Sequence, residues 1–155
     1  MNQAARAAIE SGLAARVQSP SRMRATSDSV NLRILIVEDN RDFASSLKML
    51  LEGFGYDAHV VNDGESAVTA AVALRPQVIL MDINMPGLSG YDAARRIRAR
   101  CPDMRVRIVA VTGLGHQVDR LRSAEAGIDH HLVKPLDLSV LQPILDLAWK
   151  PGAVA

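Results

Sequence analysis

Residues 78–98 read VILMDINMPGLSGYDAARRIR, and this stretch holds a complete strand–loop–helix unit. Val78–Met81 is a short unbroken apolar run, the pattern of a strand buried on both faces. Asp82 stands where that run ends. From Tyr91 to Arg100 the pattern becomes helical, with Ala94 and Ile97 inward and the arginines at 95, 96, 98 and 100 outward as a basic face, which solvation explains about as well as a docking surface does.

The same alternation extends in both directions. Leu32–Val37 is a buried strand, and Phe43, Leu47, Leu50, Leu51 and Phe54 recur at helical spacing until Gly53 and Gly55 stop the helix. Ala58–Val61 reads as a strand and Glu65–Leu74 as an Ala-rich helix broken by Pro76. Beyond the central unit, Arg107–Val111 is a strand, Gln117–Ala126 a helix stopped by Gly127, and His131–Val133 a short strand. Asp137 caps a last helix whose Leu138, Leu141, Leu145 and Trp149 share one face. Strands alternating with helices over short connections call for an α/β fold, a doubly wound parallel sheet of five strands with helices on both faces. The site of such a sheet lies at the carboxyl ends of its strands.

Those ends carry a definite chemistry. Glu38 and Asp39 follow the first strand, Asp82 ends the third, Thr112 and Gly113 follow the fourth, and Lys134 and Pro135 follow the fifth. Three crowded carboxylates repel one another unless a cation joins them. A hard divalent ion such as Mg²⁺ suits oxygen ligands and keeps sites open for phosphate. Lys134 adds a positive charge and Thr112 a hydroxyl, the parts that phosphoryl transfer needs, and an aspartate can act as its nucleophile.

The totals narrow the classes. The chain has 155 residues, 48% of them hydrophobic, which suits one globular domain at residues 31–150 with a short tail at 151–155. Residues 1–30, rich in Ala, Arg and Ser, read as a flexible extension with a short helix near Ala4–Ala15. The extension is Arg-rich and acid-poor like a transit peptide but lacks a secretory pattern. A formal net charge of +1 gives no reason to expect a nucleic-acid partner. A single cysteine, Cys101, rules out an internal disulfide and suits a reducing cytoplasm, and no apolar run is long enough to span a membrane. His59 and His116 stand alone as surface residues, and the neighbours His130 and His131 point to opposite faces of a strand and cannot easily chelate together.

Four pieces taken in order, ILIVEDN (34–40), the 78–98 stretch, VAVTG (109–113) and HLVKP (131–135), resemble the response-regulator receiver family of two-component signalling, over roughly Leu32 to Lys150. The resemblance implies a flavodoxin-like sheet of order 2-1-3-4-5, as in the chemotaxis regulators. It implies Asp82 as phosphoacceptor, and a Mg²⁺ (or Mn²⁺) ion held by Asp39, Asp82 and the Asn84 backbone, with Glu38 acting through water. Asn84, Thr112, Gly113 and Lys134 would bind or admit the phosphoryl group, and Pro135 would follow a cis peptide bond. Thr112 and residue 131 would form the switch. That position is usually Tyr or Phe, and His131 here leads us to expect an output that varies with pH near neutrality.

The family further implies a histidine kinase or phosphotransfer protein as donor, and a downstream protein target on the face of the fourth helix, fifth strand and fifth helix. The chain would be a signalling phosphoacceptor that assists its own phosphorylation and dephosphorylation rather than an enzyme. The short stretch after Lys134 suggests a stand-alone regulator, and a receiver cut from a hybrid kinase is the alternative. A pseudo-receiver that is never phosphorylated would not need the full acidic and basic set. A flavin-binding protein of similar topology would need a phosphate-cradling loop where Glu38-Asp39-Asn40 stands.

Overall fold

The computed structural model describes residues 31–113 and 117–149. Along the chain come β1 (Arg33–Val37), α1 (Arg41–Gly53), β2 (Asp57–Val61), α2 (Gly64–Leu74), β3 (Val78–Asp82), α3 (Gly90–Arg100), β4 (Arg107–Thr112), α4 (Arg120–Ala126), β5 (His130–Val133) and α5 (Leu138–Ala148). The strands form one parallel sheet of order β2-β1-β3-β4-β5. That is the expected doubly wound architecture. The suggested Ala4–Ala15 helix, the extension, the tail and His116 lie outside the described residues.

The helices divide the core in two. Leu35, Ile79, Met81, Ile108 and Ala110 pack on one side of the sheet with Ala67 and Ala71 of α2, Ala94 and Ile97 of α3, and Ala126 of α4. Ile34, Ile36, Val78, Leu80 and Val109 pack on the other side with Ala44, Leu47 and Leu51 of α1 and Leu141, Ile144 and Leu145 of α5. Alternate residues of each strand feed alternate cores, which is why the central strands carry apolar side chains at every position. Leu138 and Trp149 complete the α5 face as expected.

Each helix starts at a side-chain cap. Asn40, Asp63, Ser89, Asp119 and Asp137 all stand in extended backbone and accept a hydrogen bond from an N–H two or three residues on. About half of the expected boundaries stand and most of the others shift by one residue; Asp82 closes β3 as expected, and Thr112 closes β4 rather than following it.

Three expectations are corrected. The fourth helix begins at Arg120, not Gln117, because Asp119 is its N-cap: the carboxylate accepts from Arg122 N at 3.0 Å. Arg98 does not point to solvent. Its guanidinium donates to Gly127 O at 2.8 Å and Val106 O at 2.9 Å, and it pairs with Asp129 at 2.9 Å. A planar fork of five donors can satisfy several acceptors at once, so this arginine ties α3 to the segment before β5. His59 is not isolated either, since its Nε2 lies 2.9 Å from Asp57 Oδ1.

Gly90 sets how closely α3 approaches β3. A Cβ built there would stand 2.5 Å from Asp82 O and 2.7 Å from Ile83 Cα, backbone atoms that cannot step aside. The missing side chain therefore lets the helix start directly beneath the end of β3.

Candidate active site

At the carboxyl edge of the sheet, β1 and β3 are hydrogen-bonded neighbours, which brings the residues after β1 against the last residue of β3. Ligand atoms of Glu38, Asp39 and Asp82 lie within 4.8 Å of one another. Asp82 is 6% exposed and Glu38 2%, while Asp39 is open to solvent.

Glu38 is fixed from several directions. Its Oε1 accepts from Asn40 N at 3.0 Å, its backbone carbonyl accepts from Asn62 Nδ2 at 2.9 Å, and its Oε2 lies 2.6 Å from Lys134 Nζ. A buried carboxylate with these partners has its hydrogen-bonding demand met. Asp82 is held less completely. Its Oδ1 accepts from Asn84 N at 2.9 Å, but its Oδ2 stands 3.6 Å from Lys134 Nζ, beyond hydrogen-bond range.

The carboxyl of Asp82 is pushed up to about 6, first by burial and further by the charge of Glu38, against the pull of the Asn84 N–H and of Lys134. A carboxylate so placed is short of positive charge. The set of hard oxygen donors around it fits Mg²⁺, which would supply that charge. Glu38, Asp39, Asp82 and the Asn84 backbone are the residues that could hold such an ion.

Lys134 reaches the site from the end of β5, where its N–H donates to Thr112 O at 2.7 Å and its bond to Pro135 is cis. Its ammonium also lies over the ring of Phe43, 4.7 Å from the centroid. Thr112 is buried, and among the described residues its hydroxyl makes only a long 3.4 Å bond to Leu132 O. Gly113, half-buried, comes next and offers no side chain.

His131 faces α4, where its Nε2 and Ser123 Oγ are hydrogen-bonded at 2.8 Å. Burial holds its pKa below the usual histidine value, and the positive charges of Arg120 and His130 act in the same direction.

The structure thus gathers Glu38, Asp39, Asp82, Asn84 and Lys134 into one cluster. Thr112 adjoins it through Lys134 N, and His131 is directed to α4. Among the described residues, the histidines join no metal-binding group. Three contacts escaped the sequence reading. Phe43 was counted only in the apolar series of α1, and Ser123 carried no signal at all. Tyr91 accepts a hydrogen bond at its hydroxyl from Asp119 N at 3.0 Å, and the Arg122 guanidinium covers its ring. For Phe43 a signal did exist: it stands four residues after Asp39, in the first helical turn above the site.

The fold and this acidic pocket define a class of phosphoacceptor domains, and comparison with known proteins gives the family. The response regulator receiver domain model matches residues 34–146, and the chain belongs to that family. It is 39% identical over 108 residues to the DNA-binding response regulator MtrA of Mycobacterium tuberculosis, covering 70% of this chain and 46% of that protein. It is 35% identical over 120 residues to the sensory transduction protein RegX3 of Mycolicibacterium smegmatis, covering 77% and 51%. The chain therefore spans about half the length of the curated relatives it matches.

Among solved structures, it resembles the receiver domain of a sensor histidine kinase from Pseudomonas aeruginosa, which has a magnesium ion coordinated in its active site cleft. The TM-score is 0.67 at 39% identity, over 76% of this chain and 97% of that one. A CheY-like receiver domain from Methylobacillus flagellatus gives 0.69 at 31%, over 76% and 98%. No helix among the described residues is long and apolar enough to cross a membrane.

Proposed function

We propose that Asp82 is the phosphoacceptor of this receiver domain, taking its phosphoryl group from a histidine kinase or a phosphotransfer protein. One observation carries the reading: a buried carboxylate, raised to about 6, whose Oδ2 faces the Lys134 ammonium 3.6 Å away.

Asp82 Oδ2 attacks phosphorus, the bond from phosphorus to the donor's nitrogen or oxygen breaks, and its electron pair leaves with the donor. The Asn84 N–H keeps the other carboxylate oxygen turned away. Lys134 is already inside the site and needs only a small swing from Glu38 to meet the phosphoryl oxygens. Mg²⁺ (or Mn²⁺), when bound by Glu38, Asp39, Asp82 and the Asn84 backbone, supplies further charge compensation. The Thr112 hydroxyl exchanges a weak bond to Leu132 O for a phosphoryl oxygen, and Gly113 leaves room for the donor.

Movement of Thr112 then acts on β5 and, through His131, on α4. The altered face of α4, β5 and α5 would bind a downstream protein in the cytoplasm. The domain assists its own phosphorylation and dephosphorylation, and we class it as a signalling phosphoacceptor rather than an enzyme, with no nucleic-acid or membrane contact of its own. Likeness to the receiver of a sensor histidine kinase supports a second setting, as one part of a hybrid kinase, with the same chemistry at Asp82.

Incubation with acetyl phosphate and Mg²⁺ followed by intact mass tests this reading. One phosphoryl adduct on the wild type and none on Asp82→Asn is expected. No adduct on the wild type, or an equal one on the variant, overturns it.

A further inference from the structure

We infer that Phe43 is a positioning residue of the phosphoryl site, its ring holding the Lys134 ammonium where the incoming group will need it. The inference rests on the proposed role of Lys134 and adds a residue to it.

Four contacts close on themselves. Glu38 Oε1 accepts from Asn40 N at 3.0 Å, and Asn40 Oδ1 accepts from Phe43 N at 3.0 Å, which starts α1. The Phe43 ring lies 4.7 Å from Lys134 Nζ, and Lys134 Nζ returns to Glu38 Oε2 at 2.6 Å. The cap that begins α1 thereby sets the ring against the lysine.

Phe43 is the half-buried edge of the apolar stripe that anchors its helix, packed against the core that holds Ala44, Leu47 and Leu51. Ala44, Leu47 and Leu51 are buried, whereas Phe43 is only half-buried and lies over the site.

The chemistry of the ring suits the task. A lysine ammonium has three donors on a long flexible stem, and leaving it without a partner frees many conformers. Glu38 holds it from one side, and Asp82 is too far to complete the set. The ring face attracts the cation without taking a proton or demanding a direction. It restricts the stem yet leaves donors free for phosphoryl oxygens, which a second carboxylate in its place would not do.

The test follows the rate of phosphoryl adduct formation on the full chain, with acetyl phosphate and Mg²⁺. Phe43→Leu should slow it by about three- to ten-fold, the range expected for a partly desolvated cation–ring contact. Phe43→Tyr should stay within about two-fold of wild type for the same reason. In a Lys134→Gln background, Phe43→Leu should have no further effect, because the ring acts through the ammonium. Stepwise fluorination of the Phe43 ring keeps its size and packing, and should slow the reaction in order of fluorine number. In the metal-free protein, ring current should move the Lys134 Hε resonance upfield, and Phe43→Leu should return it.

Equal rates for wild type, Phe43→Leu and the fluorinated rings overturn the inference while leaving Asp82 as acceptor. An equal slowing by Phe43→Leu with and without Lys134 also overturns it, since the effect is then purely structural. A wild type that forms no adduct overturns both this inference and the reading beneath it.

Discussion

His131 Nε2 and Ser123 Oγ are hydrogen-bonded at 2.8 Å, a side-chain link between β5 and α4. Ser123 is buried and His131 half-buried, so removing the hydroxyl strands a ring nitrogen. Ser123→Ala should cost about 1 kcal/mol of stability, read from urea unfolding at pH 7.5. A change below about 0.3 kcal/mol would show that the link contributes nothing in solution.

The same histidine has a defined pH signature. Its folded pKa is depressed, so the folded state favours the neutral ring. The stability this contributes is present above the unfolded value of 6.5 and is lost as pH falls through the lower folded value. NMR titration should place the His131 midpoint below 6.5. A midpoint at or above that value would contradict the placement of Arg120, His130 and the surrounding burial.

Asp82 has the opposite sign. Its folded pKa of about 6 lies above the ordinary aspartate value of 3.8, so the folded state binds the proton more tightly. That stability is complete below the unfolded pKa and is lost as pH rises through about 6. In metal-free protein at pH 7.5, Asp82→Asn should raise stability by about 1–2 kcal/mol, the advantage shrinking towards pH 5. Mg²⁺ should stabilise the wild type at pH 7.5 far more than the variant. A variant less stable than wild type at every pH would exclude the crowding of charge described for this pocket.

Arg98 and Gly90 test the fold behind the site. Arg98→Lys keeps the charge but loses the fork that reaches Val106 O, Gly127 O and Asp129, and should cost about 1–2 kcal/mol. Gly90→Ala forces a Cβ into the Asp82 carbonyl and should cost at least about 2 kcal/mol, whereas Gly53→Ala, with nothing within 4 Å, should be neutral or mildly stabilising. Urea unfolding of the three variants gives the ranking, and a Gly90→Ala chain as stable as wild type would refute the close approach of α3.

Much of this was legible in the residues. Val78–Met81 and Ile34–Val37 are apolar at every position because alternate side chains feed two cores, so the strands could be read directly. Once the strands were parallel, Glu38, Asp39, Asp82 and Lys134 had to share one edge. What stayed hidden depends on contacts between distant elements. Arg98 follows the solvated side of its helix in sequence, and only the tertiary fold supplies the carbonyls it binds, 8 and 29 residues away. Asp119 competes with Gln117 to start α4 and wins because its carboxylate caps Arg122 N. Phe43 meets Lys134 only after β1 and β5 have found their places in the sheet.

The most direct test of the account is to locate the phosphoryl group itself. After acetyl phosphate and Mg²⁺, borohydride reduces an aspartyl phosphate to homoserine, and peptide mass spectrometry reads its position. The account predicts homoserine at Asp82. Homoserine in place of Asp39 with an intact Asp82, or no reduced residue in a chain that carries the adduct, would contradict it.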